Sequence, residues 1–169
     1  MKFCHSALET ILLSCPGPRH RATRRHAAIY GALETILDSL DDPLAAALLI
    51  ARFELAFLAE LGFGLDLGSC AATGATADLV YVSPRSGRAV SRGAGEAYRD
   101  KLLRLPGFLR AEGEPASATD LADAFALTGF FLDRRAFAPR GLALPDARAH
   151  FVAAITRSLA GAEAARRDA

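Results

Sequence analysis

The sequence contains no tryptophan, one methionine and only three cysteines in 169 residues. Cys4, Cys15 and Cys70 are odd in number and far apart, so they do not match the paired pattern of a disulfide framework. Cysteines that stay unpaired are typical of proteins in reducing compartments. We therefore expect a cytoplasmic protein without structural disulfides.

The sequence also lacks a charge excess and a long apolar run. Its formal net charge is +1 at pH 7, so no overall field attracts nucleic acid or an anionic membrane. No apolar run approaches the roughly 20 residues that a membrane helix needs. The first 15 residues have the outline of a lipoprotein signal, but His5 and Glu9 interrupt its apolar part. We expect neither a membrane span nor lipidation.

Catalytic motifs are missing as well. The sequence has no G-x-S-x-G nucleophile elbow, no phosphate-binding loop and no H-E-x-x-H metal motif. Its acidic pairs, Asp41–Asp42 and Asp120/Asp123, stand where predicted helices begin, and aspartate at such positions caps free amide groups. His150 lies on a predicted helix, where a packing or surface role is more typical than a catalytic one. We expect no enzyme activity.

The sequence is rich in alanine and leucine at helical spacing. Hydrophobic residues make up 51% of the chain, which is typical of a globular domain. The best-marked helix covers residues 43–61, with Asp42 placed to cap its start and Gly62 placed to end it. Further helices are predicted over residues 6–15, 27–40, 94–103, 119–135 and 146–160. The predicted fold class is mainly α, a compact helical bundle.

One segment departs from the helical spacing. Residues 78–83 (DLVYVS) and 88–91 (RAVS) alternate in the way strands do, and the turn PRSG joins them. We therefore predict a β-hairpin within an insert that covers residues 66–94.

This insert has the spacing of a zinc ribbon, in which two pairs of cysteines bind one ion. Cys70 is followed by Thr73 rather than by a second cysteine, and Ser91 and Ala94 stand where the second pair belongs. We predict a zinc-ribbon-like β-hairpin insert lacking its zinc ligands, with no cofactor. Apolar burial is expected to replace the stabilisation by the metal, through Val80, Val82 and Val90.

The segment RFELAFLAELGFGLDLGSC, residues 52–70, resembles the C-terminal helical domain of the RecO family of bacterial DNA repair proteins. In that family a helix with an R-F-E-L core leads through L-G-[YF]-G-L-[DN]-L to the first zinc cysteine. Residues 81–91 resemble the hairpin of that family, and residues 127–151 resemble its closing segment. The resemblance covers about residues 27–157.

Two departures limit what this resemblance implies. Only Cys70 remains of the four zinc cysteines that many relatives carry, so the family's structural zinc is not expected. The family also begins with an OB-fold, a barrel that binds single-stranded nucleic acid. Residues 1–28 cannot form this barrel, so we expect a truncated chain. The predicted parts are a divergent segment (1–26), a RecO-like helical domain (27–160) and a frayed tail (161–169).

Candidate nucleic-acid contacts lie in two basic clusters. The first is RHRATRRH at residues 19–26, and the second is on the insert. Exposed arginines of this kind contact phosphates with little sequence preference, although a solvated face is the simpler explanation for a nearly neutral chain. The candidates are Arg24, Arg25, Arg85, Arg88 and Arg92.

The resemblance implies partners too. In the RecO family the helical domain is implicated in binding the acidic, aromatic C-terminal tail of single-strand binding protein, and the recombination protein RecR is a further partner. Such a site needs an apolar pocket and an arginine. The candidates are Arg52, Phe53, Phe57 and Arg140, and the two phenylalanines also fit an ordinary core.

A metal site at the N-terminus is the weakest hypothesis. The spacing of Cys4, His5, Cys15 and His20 fits no zinc pattern.

The function expected from the resemblance is that of a non-enzymatic recombination mediator, which anneals single strands and assists recombinase loading. The alternatives are a protein-only interaction module and a remnant without function.

Overall fold

The computed structural model describes residues 21–111 and 115–167. Helix α1 covers Arg21–Asp38 and helix α2 covers Pro43–Glu60. The chain divides within α2 into two compact units, Met1–Phe53 and Glu54–Ala169. Within the described residues, none of the helices combines the length and the apolar character that crossing a membrane requires.

The first unit contains α1 and most of α2. The prediction for α2 is confirmed, because the backbone amides of Leu44 and Ala45 donate to Asp42 Oδ1 at 3.1 Å each, and Gly62 adopts φ +85° just after the helix. These are the N-cap and the left-handed C-terminal residue that the sequence indicates. Residues 21–26, which precede the predicted start at residue 27, are already helical. The helix predicted at 6–15 and the residues Cys4, His5, Cys15 and His20 lie outside the described part of the chain.

The second unit contains a three-stranded antiparallel sheet. Its strands are β1 (Leu79–Val82), β2 (Ala89–Ser91) and β3 (Leu103–Arg104), in the order β2-β1-β3. The predicted hairpin of β1 and β2 is confirmed, with Val82 opposite Ala89. Gly87 closes the turn with φ +72°, a conformation that favours glycine.

The helix predicted at 94–103 is confirmed only in part, because the chain is helical up to Lys101 and residues 103–104 form a strand. A short helix α3 (Arg92–Gly95) passes into a 3₁₀ segment (Glu96–Lys101), and the chain then pairs with β1 as β3. The amide of Leu105 donates to the carbonyl of Val80 at 2.9 Å. A side chain at Gly95 would lie 2.5 Å from the ring of Tyr81, so this close approach requires glycine. Sheet pairing therefore overrides the local helical pattern.

Two longer helices complete the second unit. Helix α4 (Ala118–Phe131) starts with a capping box, in which Ser117 Oγ accepts from the amide of Asp120 at 3.1 Å and the amide of Ser117 donates to Asp120 Oδ2 at 3.0 Å. A π-helical turn (Leu132–Phe137) and a 3₁₀ turn (Ala138–Arg140) replace the predicted continuation of α4 to residue 135. Helix α5 covers Asp146–Arg167 and extends beyond the predicted end near residue 160.

The core of the second unit lies between the sheet, α4 and the end of α2. Tyr81 and Val82 from β1 are buried with Phe131 from α4 and Leu58 from α2. Val82 and Val90 are buried and Val80 packs at the edge of this core, as the sequence predicts. The fold is mainly helical with a small sheet.

Candidate functional site

The turn of the β-hairpin lies next to the π-helical turn that follows α4. Arg135 Nη2 donates to the backbone carbonyl of Arg85 at 3.3 Å, which joins the two turns. The guanidinium carbon of Arg134 lies 5.7 Å from the centre of the Phe130 ring. We call Arg85, Arg134 and Arg135 the arginine cluster.

The arginine cluster has no acidic partner within the described residues, because no carboxylate lies within ion-pair distance of its three side chains. Arg85 and Arg134 are exposed. Guanidinium groups that no carboxylate neutralises attract phosphates and other anions. Sequence reasoning found Arg85 but missed Arg134 and Arg135, for which the only signal was an Arg-Arg pair close to the end of a predicted helix.

The other two arginines predicted on the insert are held by carboxylates. Arg88 Nε lies 3.1 Å from Asp66 Oδ2, and Arg92 Nε lies 3.2 Å from Asp78 Oδ1. Both pairs are exposed, and exposed pairs contribute only about 0.2–1 kcal/mol each. A phosphate can therefore compete for these two arginines, but it first has to displace the carboxylate.

Arg24 and Arg25 lie in the first half of α1. The structure describes their backbone, whereas their side chains lie outside the described part. They belong to the first unit, whereas Arg85, Arg88 and Arg92 belong to the second, and their role in nucleic-acid binding stays a prediction.

The residues predicted to bind an acidic tail fall in both units. Arg52 and Phe53 belong to the first unit, where both are half-buried and both have interaction partners. In the second unit, Phe57 packs against the core and Arg140 Nη1 donates to the carbonyl of Ala136 at 2.5 Å. Gly141 follows Arg140 with φ +68°, which ends this segment and leaves Arg140 exposed.

Cys70 is the centre of a hydrogen-bonded cluster in the insert. Its sulfur accepts from the hydroxyl of Ser91 at 3.4 Å and from the amide of Ser91 at 3.3 Å. The hydrogen bond from the Ser91 hydroxyl, followed by one from Thr73, lowers the pKa of the Cys70 thiol from 9.0 to about 6, although burial of the sulfur acts in the opposite direction. Two of the three positions predicted to have lost zinc cysteines thus contact the remaining cysteine.

The groups at these four positions do not fit zinc. They are one thiol (Cys70), two hydroxyls (Thr73 and Ser91) and the methyl group of Ala94, whereas zinc needs three or four thiolate, imidazole or carboxylate ligands. Across residues 21–111 and 115–167, no three His, Cys, Asp or Glu side chains group closely enough to hold a metal ion.

A buried polar network joins three helices of the second unit and was missed by sequence reasoning. Glu54 on α2 binds Arg148 on α5, with Nε–Oε1 at 2.6 Å and Nη2–Oε2 at 2.9 Å. Thr128 on α4 donates from Oγ1 to Glu54 Oε2 at 2.5 Å, and Arg148 also donates to the carbonyl of Phe125. No buried side-chain nitrogen or oxygen in the described residues lacks a hydrogen-bond partner, so the role of this network is structural.

The structure also describes the acidic residues that stand at the predicted helix starts. Asp42 and Asp120 cap helices, as predicted. Burial raises the pKa of Asp123, and the nearby Arg104 opposes this effect. His150 is exposed. The structure assembles no nucleophile with an adjacent base from these side chains.

Comparison with known proteins identifies relatives over most of the chain. The family described as "Recombination protein O C terminal" matches residues 21–141. The protein named DNA repair protein RecO from Rhodopseudomonas palustris (strain BisB5) is 59% identical over 138 residues, which cover 80% of this chain and 55% of the relative. Proteins of the same name from Afipia carboxidovorans and Rhizobium etli are 56% and 57% identical, over 79% of this chain and 55% and 53% of the relatives. The chain thus spans about half the length of the curated relatives that it matches. No solved structure matches it.

Proposed function

The chain belongs to the RecO family, and on this premise we propose that it acts in DNA repair and recombination as a mediator without catalytic chemistry of its own. The observation that carries the proposal is the match to the C-terminal family domain over residues 21–141, together with identities of 56–59% to proteins named DNA repair protein RecO. The buried polar network and the helix caps account for its most conspicuous acidic residues as structural groups. We infer that annealing of single strands and support of recombinase loading are its tasks.

The arginine cluster supports the part of this proposal that concerns DNA. Arg135 contacts the backbone of Arg85, Arg134 precedes Arg135 in the chain, and the described residues hold no acidic partner for any of the three. Contacts to phosphates supply sequence-independent affinity, which is what annealing of any complementary pair requires. Arg88 and Arg92 are proposed as secondary contacts because Asp66 and Asp78 hold them. Arg24 and Arg25 are proposed as a separate set of phosphate contacts on α1.

The second part of the proposal is a contact with the acidic, aromatic tail of single-strand binding protein. A tail of this kind binds through an aromatic ring in an apolar pocket and through an arginine that pairs with carboxylates. We propose that Arg52, with Phe53 and Phe57 from the same helix, supplies both groups, and that Arg140 is a second candidate partner for the carboxylates. RecR is a proposed further partner.

We propose that the insert is a zinc-ribbon-like hairpin that dispenses with its metal. The hydrogen bonds from Ser91 and Thr73 to Cys70, and the burial of Val82 and Val90, support this view. In this proposal the hydrogen-bonded sulfur and the apolar core hold the hairpin in the place of zinc, and the protein binds no cofactor.

A protein-only interaction module is the second candidate. It is favoured by the ion pairs of Arg88 and Arg92, which neutralise two of the three arginines predicted on the insert. In this case the chain binds the tail but not single-stranded DNA.

Fluorescence anisotropy tests both candidates. The full chain is titrated into a labelled peptide that copies the tail of single-strand binding protein, and separately into a labelled single-stranded oligonucleotide. The mediator binds both probes, and Arg52→Ala or Arg140→Ala weakens only peptide binding. A chain that binds the peptide alone is an interaction module. Failure to bind either probe, with circular dichroism showing a folded chain, contradicts both candidates and leaves a remnant.

A further inference from the structure

The surface of α1 combines exposed apolar side chains with exposed carboxylates. Of the eight large apolar side chains that are exposed in the described residues, five lie between residues 30 and 44. Three of them belong to α1, where Tyr30 is 67% exposed, Leu33 is 39% exposed and Leu37 is 63% exposed. Isolated exposed leucines are ordinary, but a cluster of this kind marks a protein contact.

The three side chains form a stripe beside the buried face of the helix. An α-helix turns by about 100° per residue, so Tyr30, Leu33 and Leu37 lie within about 60° of one another around its axis. We call these three residues the apolar stripe. Ala32 and Ile36 are buried and lie on one side of it. Because α1 already has this buried face, the apolar stripe is surface that the described residues leave uncovered.

Carboxylates border the other side of the apolar stripe. By the same geometry, Glu34 and Asp38 lie about 40° and 80° beyond its edge. Residues 27–51 contain four carboxylates, all of them exposed, and no lysine, arginine or histidine. None of the four has a basic partner among the described residues. We call this set the acidic rim: Glu34, Asp38, Asp41 and Asp42.

The end of α1 adds to this negative charge. The carbonyl groups at the C-terminal end of a helix carry a partial negative charge, which basic side chains in the last turn offset. The last turn of α1 has no basic residue and carries Asp38, and Asp41 follows three residues later. Within the described residues this charge is uncompensated, so a cation brought by a partner would stabilise it.

These features select one class of partner. Single-stranded DNA and an anionic membrane surface are both negatively charged, and the acidic rim repels them. The backbone groups of α1 bond within the helix, so α1 offers no strand edge and recognition relies on side chains. A partner helix satisfies its own backbone and lays an apolar stripe along that of α1. Lysines or arginines beside the partner's stripe then meet the acidic rim.

We propose that the apolar stripe and the acidic rim of α1 form a docking surface for a basic amphipathic helix of a different protein. The apolar stripe supplies the affinity, and the acidic rim selects a basic partner over an acidic one. The inference does not depend on the function proposed above.

Fluorescence anisotropy of the full chain with a labelled peptide tests the proposal. The probe is a helical peptide with leucine at three- and four-residue intervals and lysine at the other positions. A second peptide carries glutamate in place of every lysine. The lysine peptide is expected to bind at least about tenfold more tightly than the glutamate peptide, and to lose affinity as the salt concentration rises.

Two variants test the two parts of the surface. Leu37→Ser removes one of the most exposed members of the apolar stripe and is expected to weaken binding of the lysine peptide at least about tenfold. The double variant Glu34→Gln/Asp38→Asn is expected to weaken it about fivefold, since exposed ion pairs contribute little each, and to reduce the preference over the glutamate peptide. Circular dichroism confirms that each variant keeps its helices.

The matched controls carry the same kinds of change in the second unit. Leu142 is 57% exposed, and the side chain of Asp100 is 94% exposed. Neither Leu142→Ser nor Asp100→Asn is expected to change the affinity for the lysine peptide.

The proposal is overturned if the full chain does not bind the lysine peptide, or if it binds both peptides equally. It is also overturned if Leu37→Ser or the double charge variant binds like the parent chain, or if a control variant weakens binding as much. Sedimentation equilibrium then distinguishes the other occupants. A dimer that Leu37→Ser dissociates assigns the apolar stripe to a second copy, whereas a monomer leaves residues 1–20 as the occupant.

Discussion

Arg148 and Glu54 form a two-point contact in which two guanidinium nitrogens reach both carboxylate oxygens, at 2.6 Å and 2.9 Å. The two residues are 94 positions apart in the sequence. Their side chains are 20% and 10% exposed, so the contact is mostly shielded from water. The pair therefore fixes α5 against α2, and its loss leaves a charge without a partner inside the protein.

Removing either member of this pair is expected to destabilise the fold strongly. We expect Glu54→Ala or Arg148→Ala to lower the free energy of unfolding by about 3 kcal/mol, because the remaining charge stays buried. Arg148→Lys is expected to restore only part of this loss, since an ammonium group cannot bind both oxygens in the same geometry. Urea unfolding followed by circular dichroism measures these changes. Equal stability of Arg148→Ala and the parent chain contradicts the prediction.

Gly129 is expected to matter because it lies under the same guanidinium group. A Cβ at this position would lie 2.8 Å from Arg148 Nη1 and 3.0 Å from Nη2. Gly129→Ala is therefore expected to displace Arg148 from Glu54 and to destabilise the chain by about 1–2 kcal/mol, against a gain in helix propensity of about 1 kcal/mol. A double-mutant cycle checks the cause: in the Arg148→Ala background, the same substitution is expected to become neutral or stabilising.

The lowered pKa of Cys70 predicts that stability depends on pH. Because the folded thiol has a pKa of about 6 and the unfolded thiol one near 9.0, the unfolded chain binds more protons between these values. The hydrogen bonds to the thiolate therefore stabilise the fold fully above pH 9, and this stabilisation is lost as the pH falls through about 6. Chemical unfolding across this range measures the effect. Ser91→Ala, which removes the main hydrogen bond, is expected to raise the pKa of Cys70 and flatten the profile, and an unchanged profile contradicts the assignment.

The arginine cluster predicts a particular dependence of DNA binding on salt. If Arg85 and Arg135 each contact one phosphate, the double variant Arg85→Ala/Arg135→Ala is expected to reduce the slope of log affinity against log salt by about 1.4, since each phosphate contact to a single strand contributes about 0.7. Arg99→Ala is the matched control, because Arg99 is an exposed arginine that Glu96 already holds at 3.2 Å. An equal change of slope in both variants contradicts a specific role for the cluster.

The elements that the sequence predicts well are those marked by local chemistry. Asp42 and Gly62 bound α2, and Gly87 closes the hairpin, because an N-cap and a left-handed residue each depend on neighbours in the chain. The predictions fail where contacts between residues far apart in the sequence determine the local structure. Strand β3 forms because β1 offers a free edge, and Gly95 allows the approach. The end of α4 changes to a π-helical turn for reasons that no local motif indicates.

In the candidate site too, the sequence indicates which residues are present, but only the fold determines which of them meet. Arg85, Arg88 and Arg92 are all basic in the sequence, but only the fold pairs Arg88 with Asp66 and Arg92 with Asp78 and leaves Arg85 next to Arg135. Glu54 was visible as part of the R-F-E-L motif. Its partner Arg148 could not be found from spacing, because the two residues meet only when α5 packs on α4 and α2.

The network of Glu54, Thr128 and Arg148 has a consequence for synthesis of the protein on the ribosome. Arg148 emerges 94 residues after Glu54, and at about 5–20 residues per second this interval lasts roughly 5–19 seconds. During that time the carboxylate of Glu54 has no guanidinium to neutralise it, so burying it is unfavourable and the second unit cannot close. The helix that carries Arg148 thus sets the earliest moment at which the second unit can close around Glu54 during synthesis.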